Sequence, residues 1–131
     1  LIEGREGPED RGDVIDRAAA YIENNYAEPI TVDDIAAFAG VSRSWLYRGF
    51  MQRFGRSPTA LLREIRLKTA RTLLRGTTMH ISEIAWSVGY PDALYFSRVF
   101  AASEGCSPSV YRAERRTPQG SAPQLYSPDS E

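Results

Sequence analysis

Residues 32–54 read VDDIAAFAGVSRSWLYRGFMQRF, in which a turn separates two short helical patterns. The apolar residues of the first pattern recur at the spacing of one helix face: Ile35, Ala36 and Ala39. Gly40 follows them, where a helix commonly ends on a residue with positive φ, and Ser42 can cap the next helix. Leu46 and Phe50 then give that helix a buried stripe of its own. This order predicts a helix-turn-helix, although any small helical hairpin shares the pattern.

The same pattern occurs a second time further along the chain. Ile84-Ala85 repeats Ile35-Ala36, and Gly89 repeats Gly40, at an offset of 49 residues. A further set of residues repeats at an offset of 50: Leu46, Arg48, Phe50, Gly55, Ser57 and Pro58 return as Phe96, Arg98, Phe100, Gly105, Ser107 and Pro108. The inserted residue falls in the turn, where Asp92 takes the capping role of Ser42. Two copies of one supersecondary unit are rarely obtained by chance.

Length and composition favour a small cytoplasmic protein. The chain has 131 residues, enough for one compact domain or two very small subdomains. It has no apolar run of membrane-spanning length and no secretory signal pattern, so we expect no membrane partner. The single cysteine, Cys106, excludes an internal disulfide and a multi-cysteine metal site.

The charge is distributed unevenly along the chain. The overall net charge is −1, which taken alone argues against a nucleic-acid partner. Residues 30–117, however, hold 13 Lys/Arg and 7 Asp/Glu, a net charge of +6. The acidic excess lies in the flanks, with −5 over residues 1–29 and −2 over residues 118–131. The repeated region therefore has the basic character of a nucleic-acid-binding module, although a solvated surface with acidic ends would show the same balance.

Capping and breaking residues predict seven helices in an all-α fold. The first helix begins at Asp13, and the helices fall at about residues 13–27, 32–39, 43–53, 58–75, 82–88, 92–103 and 108–115. Ser82 opens the fifth helix, whereas Ser57-Pro58 and Ser107-Pro108 each combine an N-cap with a proline at the first helical position. The long fourth helix is expected to turn one set of residues inward: Leu61, Leu62, Ile65, Thr69, Ala70, Leu73 and Leu74.

These helices predict five segments along the chain. Two of them are helix-turn-helix subdomains, at residues 13–57 and 77–116, and the linker helix at residues 58–76 separates them. Residues 1–12 are expected to be a disordered linker or the remnant of an expression tag, and residues 117–131 a disordered tail.

The helix at residues 43–53 carries the first candidate DNA-reading face. With Leu46 and Phe50 buried, the opposite face is polar and exposed, at 100° per residue. We expect base contacts from Ser44, Tyr47, Arg48 and Gln52, and contacts with the DNA backbone from Arg43, Trp45, Arg53, Arg56 and Ser57. Arg48 can bond both O6 and N7 of guanine, and Ser44 lies four residues before it on the same face. The alternative for Trp45 and Tyr47 is packing against a neighbouring helix.

The second candidate helix is chemically poorer. We expect base contacts from Ala93, Leu94, Ser97 and Arg98, and backbone contacts from Tyr95 and Ser107. Only Arg98 is a strong base reader, whereas Leu94 or Ala93 can touch a thymine methyl group. The hypothesis is that the second unit discriminates among sequences less than the first.

No pattern predicts a catalytic, cofactor-binding or metal site. The chain lacks a nucleophile elbow and a glycine-rich phosphate loop. His80 stands alone before a helix start and is interpreted as a polar turn residue, and Cys106 as a structural residue. We therefore expect a protein that is not an enzyme and needs no cofactor.

The second copy holds the most distinctive combination of residues: Ile84-Ala85, Val88-Gly89-Tyr90, Asp92, Tyr95-Phe96, Arg98, Phe100, Gly105, Ser107-Pro108 and Tyr111-Arg112. With the matching residues of the first copy, and with Arg66-Leu67, Ala70, Leu73 and Leu74 between them, the sequence over about residues 13–115 resembles the AraC/XylS family of bacterial transcription regulators. Leu94 and Ala93 depart from the small polar residues often found there.

The resemblance implies two helix-turn-helix units whose recognition helices enter successive major-groove segments of double-stranded promoter or operator DNA. It also implies a contact with RNA polymerase, and a small-molecule effector or dimerisation acting through a regulatory domain absent from this fragment. The location implied is the bacterial cytoplasm, in association with the nucleoid.

Simple geometry is compatible with this arrangement. Recognition helices on one face of B-DNA lie about 34 Å apart. A spacer helix of about 17 residues covers about 26 Å, and its flanking turns add to that length. Because both units belong to one chain, we expect an asymmetric site of about 20 bp that needs no dimer.

Two other functions share the pattern. One is a helical protein-interaction module that contacts RNA polymerase or a regulator without reading DNA. The other is the helical appendage of an alkyl-transfer DNA repair protein, which needs several cysteines and is disfavoured because Cys106 is alone.

Overall fold

The computed structural model describes residues 8–115, and in this part of the chain it contains seven α-helices and no strand. The helices are α1 (Pro8–Asn25), α2 (Val32–Ala39), α3 (Arg43–Phe54), α4 (Pro58–Gly76), α5 (Ile81–Ser87), α6 (Ala93–Glu104) and α7 (Pro108–Arg115). The predicted all-α fold with two helix-turn-helix units is confirmed.

Helix α1 begins five residues earlier than the sequence pattern predicted, at Pro8 and not at Asp13. A proline suits the first helical position because its fixed φ is already helical and its missing N–H has no intrahelical partner there. Residues 8–12, expected to belong to a disordered linker, are therefore helical. The rest of that segment and the expected tail lie outside the described residues.

Capping groups form both the start of α2 and the turn between α2 and α3, and Gly40 and Ser42 act in that turn as predicted. The Thr31 hydroxyl accepts from the backbone N–H of Asp34 at 3.1 Å, and the Asp34 carboxylate accepts from the backbone N–H of Thr31 at 2.8 Å. Gly40 ends α2 with φ 74°, and the Ser42 hydroxyl accepts from the backbone N–H of Trp45 at 3.1 Å. Sequence-local hydrogen bonds therefore fix the angle at which α3 leaves the turn.

The second unit is capped in the same way, but the predicted start of α5 is wrong by one residue. Asp92 accepts from the backbone N–H groups of Leu94 and Tyr95, at 3.0 and 3.2 Å, as its predicted capping role requires. Helix α5, in contrast, begins at Ile81 and not at Ser82, and His80 occupies the N-cap position. The Glu83 carboxylate accepts from the backbone N–H of His80 at 2.9 Å. This bond satisfies a donor at the helix start, so the interpretation of His80 as a simple turn residue was incomplete.

The described residues divide into two compact units, of which the first ends at Arg66 and the second begins at Leu67. The boundary therefore falls inside α4. The first unit buries one apolar cluster: Ile15, Ala18, Ile22, Ile35, Ala36, Leu46, Phe50 and Leu62. The second unit buries its own set: Leu67, Ala70, Leu74, Ile84, Ala85, Val88, Tyr90, Phe96, Phe100 and Tyr111.

Leu67 is the core residue that the inward stripe predicted for α4 missed. It is 1% exposed, whereas Leu73, which the stripe included, is only half-buried. Leu67, Ala70 and Leu74 have the same spacing as Ile15, Ala18 and Ile22 of α1, and each set lies in the core of its own unit. The end of α4 thus plays in the second unit the part that α1 plays in the first, which extends the repeat to a third helix.

An arginine in the last helix of each unit fastens the chain at the end of the first helix. In the first unit, Arg66 donates to the carbonyls of Tyr26 and Glu28, at 2.7 and 2.9 Å. In the second, Arg112 donates to the carbonyls of Leu74 and Thr77, at 3.1 and 3.2 Å. Carbonyls in the last turn of a helix and just after it lack intrahelical donors and carry partial negative charge, so a guanidinium there stabilises both units in the same way.

Candidate nucleic-acid interface

Helix α3 has one polar, exposed face and an opposite apolar face that is fully buried. Leu46 and Phe50 are each 0% exposed, and they fix the rotation of the helix about its axis. The predicted base-contacting residues Ser44, Arg48 and Gln52 are exposed, as is Tyr47. Packing on one side therefore leaves the opposite side open, and it leaves the same residues open that the periodicity predicted.

Two of these polar residues are coupled. Arg48 Nη1 donates to the Ser44 hydroxyl at 2.8 Å, which is the i, i+4 relation expected from helix geometry. This bond uses one of five guanidinium donors, so several N–H groups remain for an external acceptor. The pair projects from the first half of α3 as one donor-rich group.

The two aromatic residues beside this pair differ in environment. Trp45 is half-buried and packs against the core of the first unit, so the packing alternative describes at least part of its role. Tyr47 is 51% exposed, which agrees with the surface position expected of a contact residue.

An open cleft brings together four of the residues predicted to contact DNA. Its volume is about 540 Å³, and it is lined by Val32, Arg43, Ser44, Tyr47, Ser57, Pro58 and Thr59. The Ser57 hydroxyl accepts from the backbone N–H of Ala60 at 3.1 Å and thereby caps α4. Its own O–H can still donate to an anion. The cleft also lies at the starts of α3 and α4, where the helix dipole is positive.

Two of the arginines predicted to contact the DNA backbone already have carboxylate partners. Arg53 makes two bonds to Asp16 of α1, at 2.9 and 3.0 Å. This hydrogen bonding, together with the Asp16 charge, raises the pKa of Arg53 above its ordinary value. Arg43 lies 3.4 Å from Asp33, and both side chains are largely exposed. Within residues 8–115, Arg56 is exposed and makes no hydrogen bond or ion pair.

Helix α6 repeats the architecture of α3 but not its chemistry. Phe96 and Phe100 are each 0% exposed beneath it. On the outer side Leu94 is 63% exposed, Tyr95 is 55% exposed, and Arg98 is exposed. The remaining predicted contact residues are half-buried: Ala93, Ser97 and Ser107, the last of which caps α7 by accepting from the backbone N–H of Val110 at 3.2 Å.

Three exposed aromatic residues were not singled out from the sequence: Trp86, Phe38 and Phe54. Trp86, on α5, is 70% exposed, and Phe38, on α2, is 52% exposed with its ring stacked 4.4 Å from that of Tyr21. Helical phase contains the signal for Trp86, because a residue two positions after the buried Ile84 points away from the core.

The described residues include no group of three or more His, Cys, Asp or Glu side chains placed to hold a metal ion. None of the described helices is both long and apolar enough to span a membrane. Cys106 is a half-buried free thiol.

Comparisons with known proteins converge on one family. A model described as "Helix-turn-helix domain" matches residues 35–114. The raffinose operon transcriptional regulatory protein RafR of Pediococcus pentosaceus is 37% identical over 95 residues, which cover 72% of this chain and 34% of that protein. The lactose operon transcription activator of Staphylococcus xylosus is 41% identical over 98 residues, which cover 75% of this chain and 35% of that protein. The chain thus spans about a third of the length of these relatives.

Solved structures give the same result. The C-terminal domain of AraT, a response regulator from Geobacillus stearothermophilus, superposes with a TM-score of 0.78 at 36% identity, covering 82% of this chain and 90% of that one. An AraC-type transcriptional regulator from Chromobacterium violaceum gives a TM-score of 0.72 at 35% identity, covering 81% and 95%. The DNA-binding domain of AdpA, solved in complex with a target DNA, gives 0.75 at 29% identity, covering 81% and 97%.

Proposed function

Because the chain belongs to the AraC/XylS family of helix-turn-helix DNA-binding domains, we propose that it binds double-stranded DNA sequence-specifically and thereby regulates transcription. In this proposal α3 and α6 are the recognition helices, and they enter adjacent major-groove segments of one asymmetric site of about 20 bp. The same proposal includes a contact with RNA polymerase, and an effector acting through a domain outside this chain. It assigns no catalytic activity to the chain.

One observation carries the proposal: the Ser44–Arg48 pair is exposed on α3, on the side opposite the fully buried Leu46 and Phe50. Burial of Leu46 and Phe50 fixes the rotation of α3, and the bond to Ser44 restrains the Arg48 side chain, so less conformational entropy is lost on binding. A guanidinium held in this way can donate two parallel bonds to guanine O6 and N7, the commonest specific contact in the major groove.

The cleft beside α3 supports a separate, positioning role. Arg43, Ser57 and the positive helix ends around the cleft suit a phosphate of the DNA backbone. Arg56 is assigned the same role because it is exposed and free of an intramolecular partner among the described residues. Phosphate contacts fix the register of the helix without reading the sequence.

A contact with protein is a further part of the proposal, and Trp86 favours it. A tryptophan that is 70% exposed presents a large apolar surface, and tryptophan is enriched where proteins bind proteins. We assign this side chain to a partner such as RNA polymerase.

The experiment that tests the reading role compares Arg48→Ala with Arg56→Ala. Arg48→Ala should cost about 1–3 kcal/mol on the preferred site and relax specificity at one base position. Arg56→Ala should weaken binding to all sequences alike and reduce the slope of log affinity against log salt by about 1. Fluorescence anisotropy with preferred and random duplexes at several salt concentrations measures both quantities.

Arg56→Ala is a matched control because it removes the same charge from the same unit. If Arg48→Ala lowered the affinity for preferred and random DNA equally, the base-reading role would be wrong. If the wild-type affinity showed no salt dependence, the interaction-module alternative would replace DNA binding.

A further inference from the structure

The two recognition helices share one register, residue for residue. Both α3 and α6 have 12 residues, and both end at a glycine in the left-handed conformation, Gly55 with φ 73° and Gly105 with φ 85°. Each begins after a capping side chain, and the fully buried pair of α3 is matched at an offset of 50 by Phe96 and Phe100. The same offset places Leu94 where α3 has Ser44, and Arg98 where α3 has Arg48.

The side chains at this shared position differ in polarity: Ser44 of α3 is polar, and Leu94 of α6 is apolar. In α3 the Ser44 hydroxyl accepts a hydrogen bond from Arg48, and the position is polar. In α6 the position holds an aliphatic side chain with no donor or acceptor, and that side chain is 63% exposed. Leu94 therefore keeps its apolar surface in water at the point where the first unit offers a hydrogen-bonding group.

The charge on α6 is also low. Helix α3 contains three arginines and no acidic residue, whereas α6 contains Arg98 and Glu104. The Glu104 carboxylate lies 2.7 Å from Arg71 of α4, and both side chains are mostly buried. Of the side chains on α6, only Arg98 is charged and without a hydrogen bond or ion pair among the described residues.

We infer that Leu94 reads the C5-methyl group of thymine, so that the half-site facing α6 contains a thymine at the position opposite the first turn of that helix. Thymine is the only base that presents a methyl group in the major groove, and apolar side chains recognise it. This inference rests on the proposed function and adds to it the kind of base that the second unit selects. Contact with one methyl group is worth about fourfold in affinity, equivalent to ~0.8 kcal/mol.

Replacing thymine with deoxyuridine removes this methyl group and leaves the base-pairing atoms unchanged. The experiment first selects a preferred site from random duplexes with the whole chain. Each thymine of that site is then replaced in turn by deoxyuridine, and the dissociation constants are measured by fluorescence anisotropy. For the wild-type protein we expect a loss of about fourfold at one or two thymines within one half-site.

Three variants test whether Leu94 causes the difference in affinity between the thymine and deoxyuridine duplexes. Leu94→Ala should bind the thymine and deoxyuridine duplexes equally at those positions, and Leu94→Met, which keeps an apolar chain of similar size, should retain the difference. Ser44→Ala, at the matching position of α3, should also retain it. Because Leu94 is exposed, its replacement is expected to leave the fold intact, which circular dichroism checks.

The outcomes distinguish a failure of this inference from a failure of the proposed DNA-binding function. If no sequence is enriched from the random duplexes, the proposed function fails and the inference falls with it. If a preferred site is found but Leu94→Ala and the wild type respond identically to every deoxyuridine, only the inference is overturned.

Discussion

At the scale of single residues, two anions compete for Arg53, one observed within the chain and one predicted in the DNA. One is the Asp16 carboxylate, which it meets through two hydrogen bonds, and the other is the DNA phosphate assigned to it from the sequence. The two residues lie 37 positions apart, so sequence periodicity contains no sign of their contact. The exposed positions of Ser44 and Arg48 were predictable, because they follow from the phase of one helix.

Replacing Asp16 tests whether this pairing limits DNA binding. We expect Asp16→Asn to raise the affinity for random and preferred duplexes alike, by about two- to threefold, because exposed ion pairs are weak. The matched control is Glu23→Gln, which removes the same charge from the same helix at an exposed position with no ion pair among the described residues. Equal gains from the two variants in an anisotropy titration would mean that Arg53 is not restrained by Asp16.

At the scale of elements, most of the fold was predictable from local signals. The capping residues Thr31, Ser42 and Asp92, and the glycine that ends α2, act within a few residues of their partners and are readable in the sequence. Leu67 was missed because α4 serves two cores, and a single periodic stripe does not represent a helix that packs in two ways. The early start of α1 was not predicted, because residues 8–12 show no apolar periodicity.

Close packing of α1 on α3 depends on Gly49. A Cβ atom at this position would lie 2.7 Å from Ile15 Cγ1 and closer still to Ile15 Cδ1, and Ile15 is only 1% exposed. We expect Gly49→Ala to destabilise the protein by about 1–3 kcal/mol, the usual cost of overpacking a core. Urea denaturation measures this change.

Gly12→Ala is the matched control, because Gly12 also lies in a helix but has open space at its Cβ position. There we expect a gain of up to about 1 kcal/mol from helix propensity. Adding Ile15→Val, which removes Cδ1, to Gly49→Ala should recover part of the loss. If Gly49→Ala were as stable as the wild type, α1 would not pack on α3 as described.

At the scale of the whole molecule, the charge pattern matters more than the net charge. The acidic residues near the start and end of the chain conceal a basic middle, and within that middle α3 carries three arginines and no acid, whereas α6 carries one arginine and one glutamate. This asymmetry agrees with the hypothesis that the first unit discriminates more strongly. The complete operator sequence was not readable from the amino-acid sequence, because base selection depends on the DNA shape as well as on the side chains.

The central claim is tested most directly by the affinity of the whole chain for its selected site relative to a shuffled duplex of the same composition, in one buffer of near-physiological salt. Sequence-specific binding predicts a ratio of about 10³ or more, with one chain bound per asymmetric duplex of about 20 bp. Equal affinity for the selected and shuffled duplexes would contradict the account.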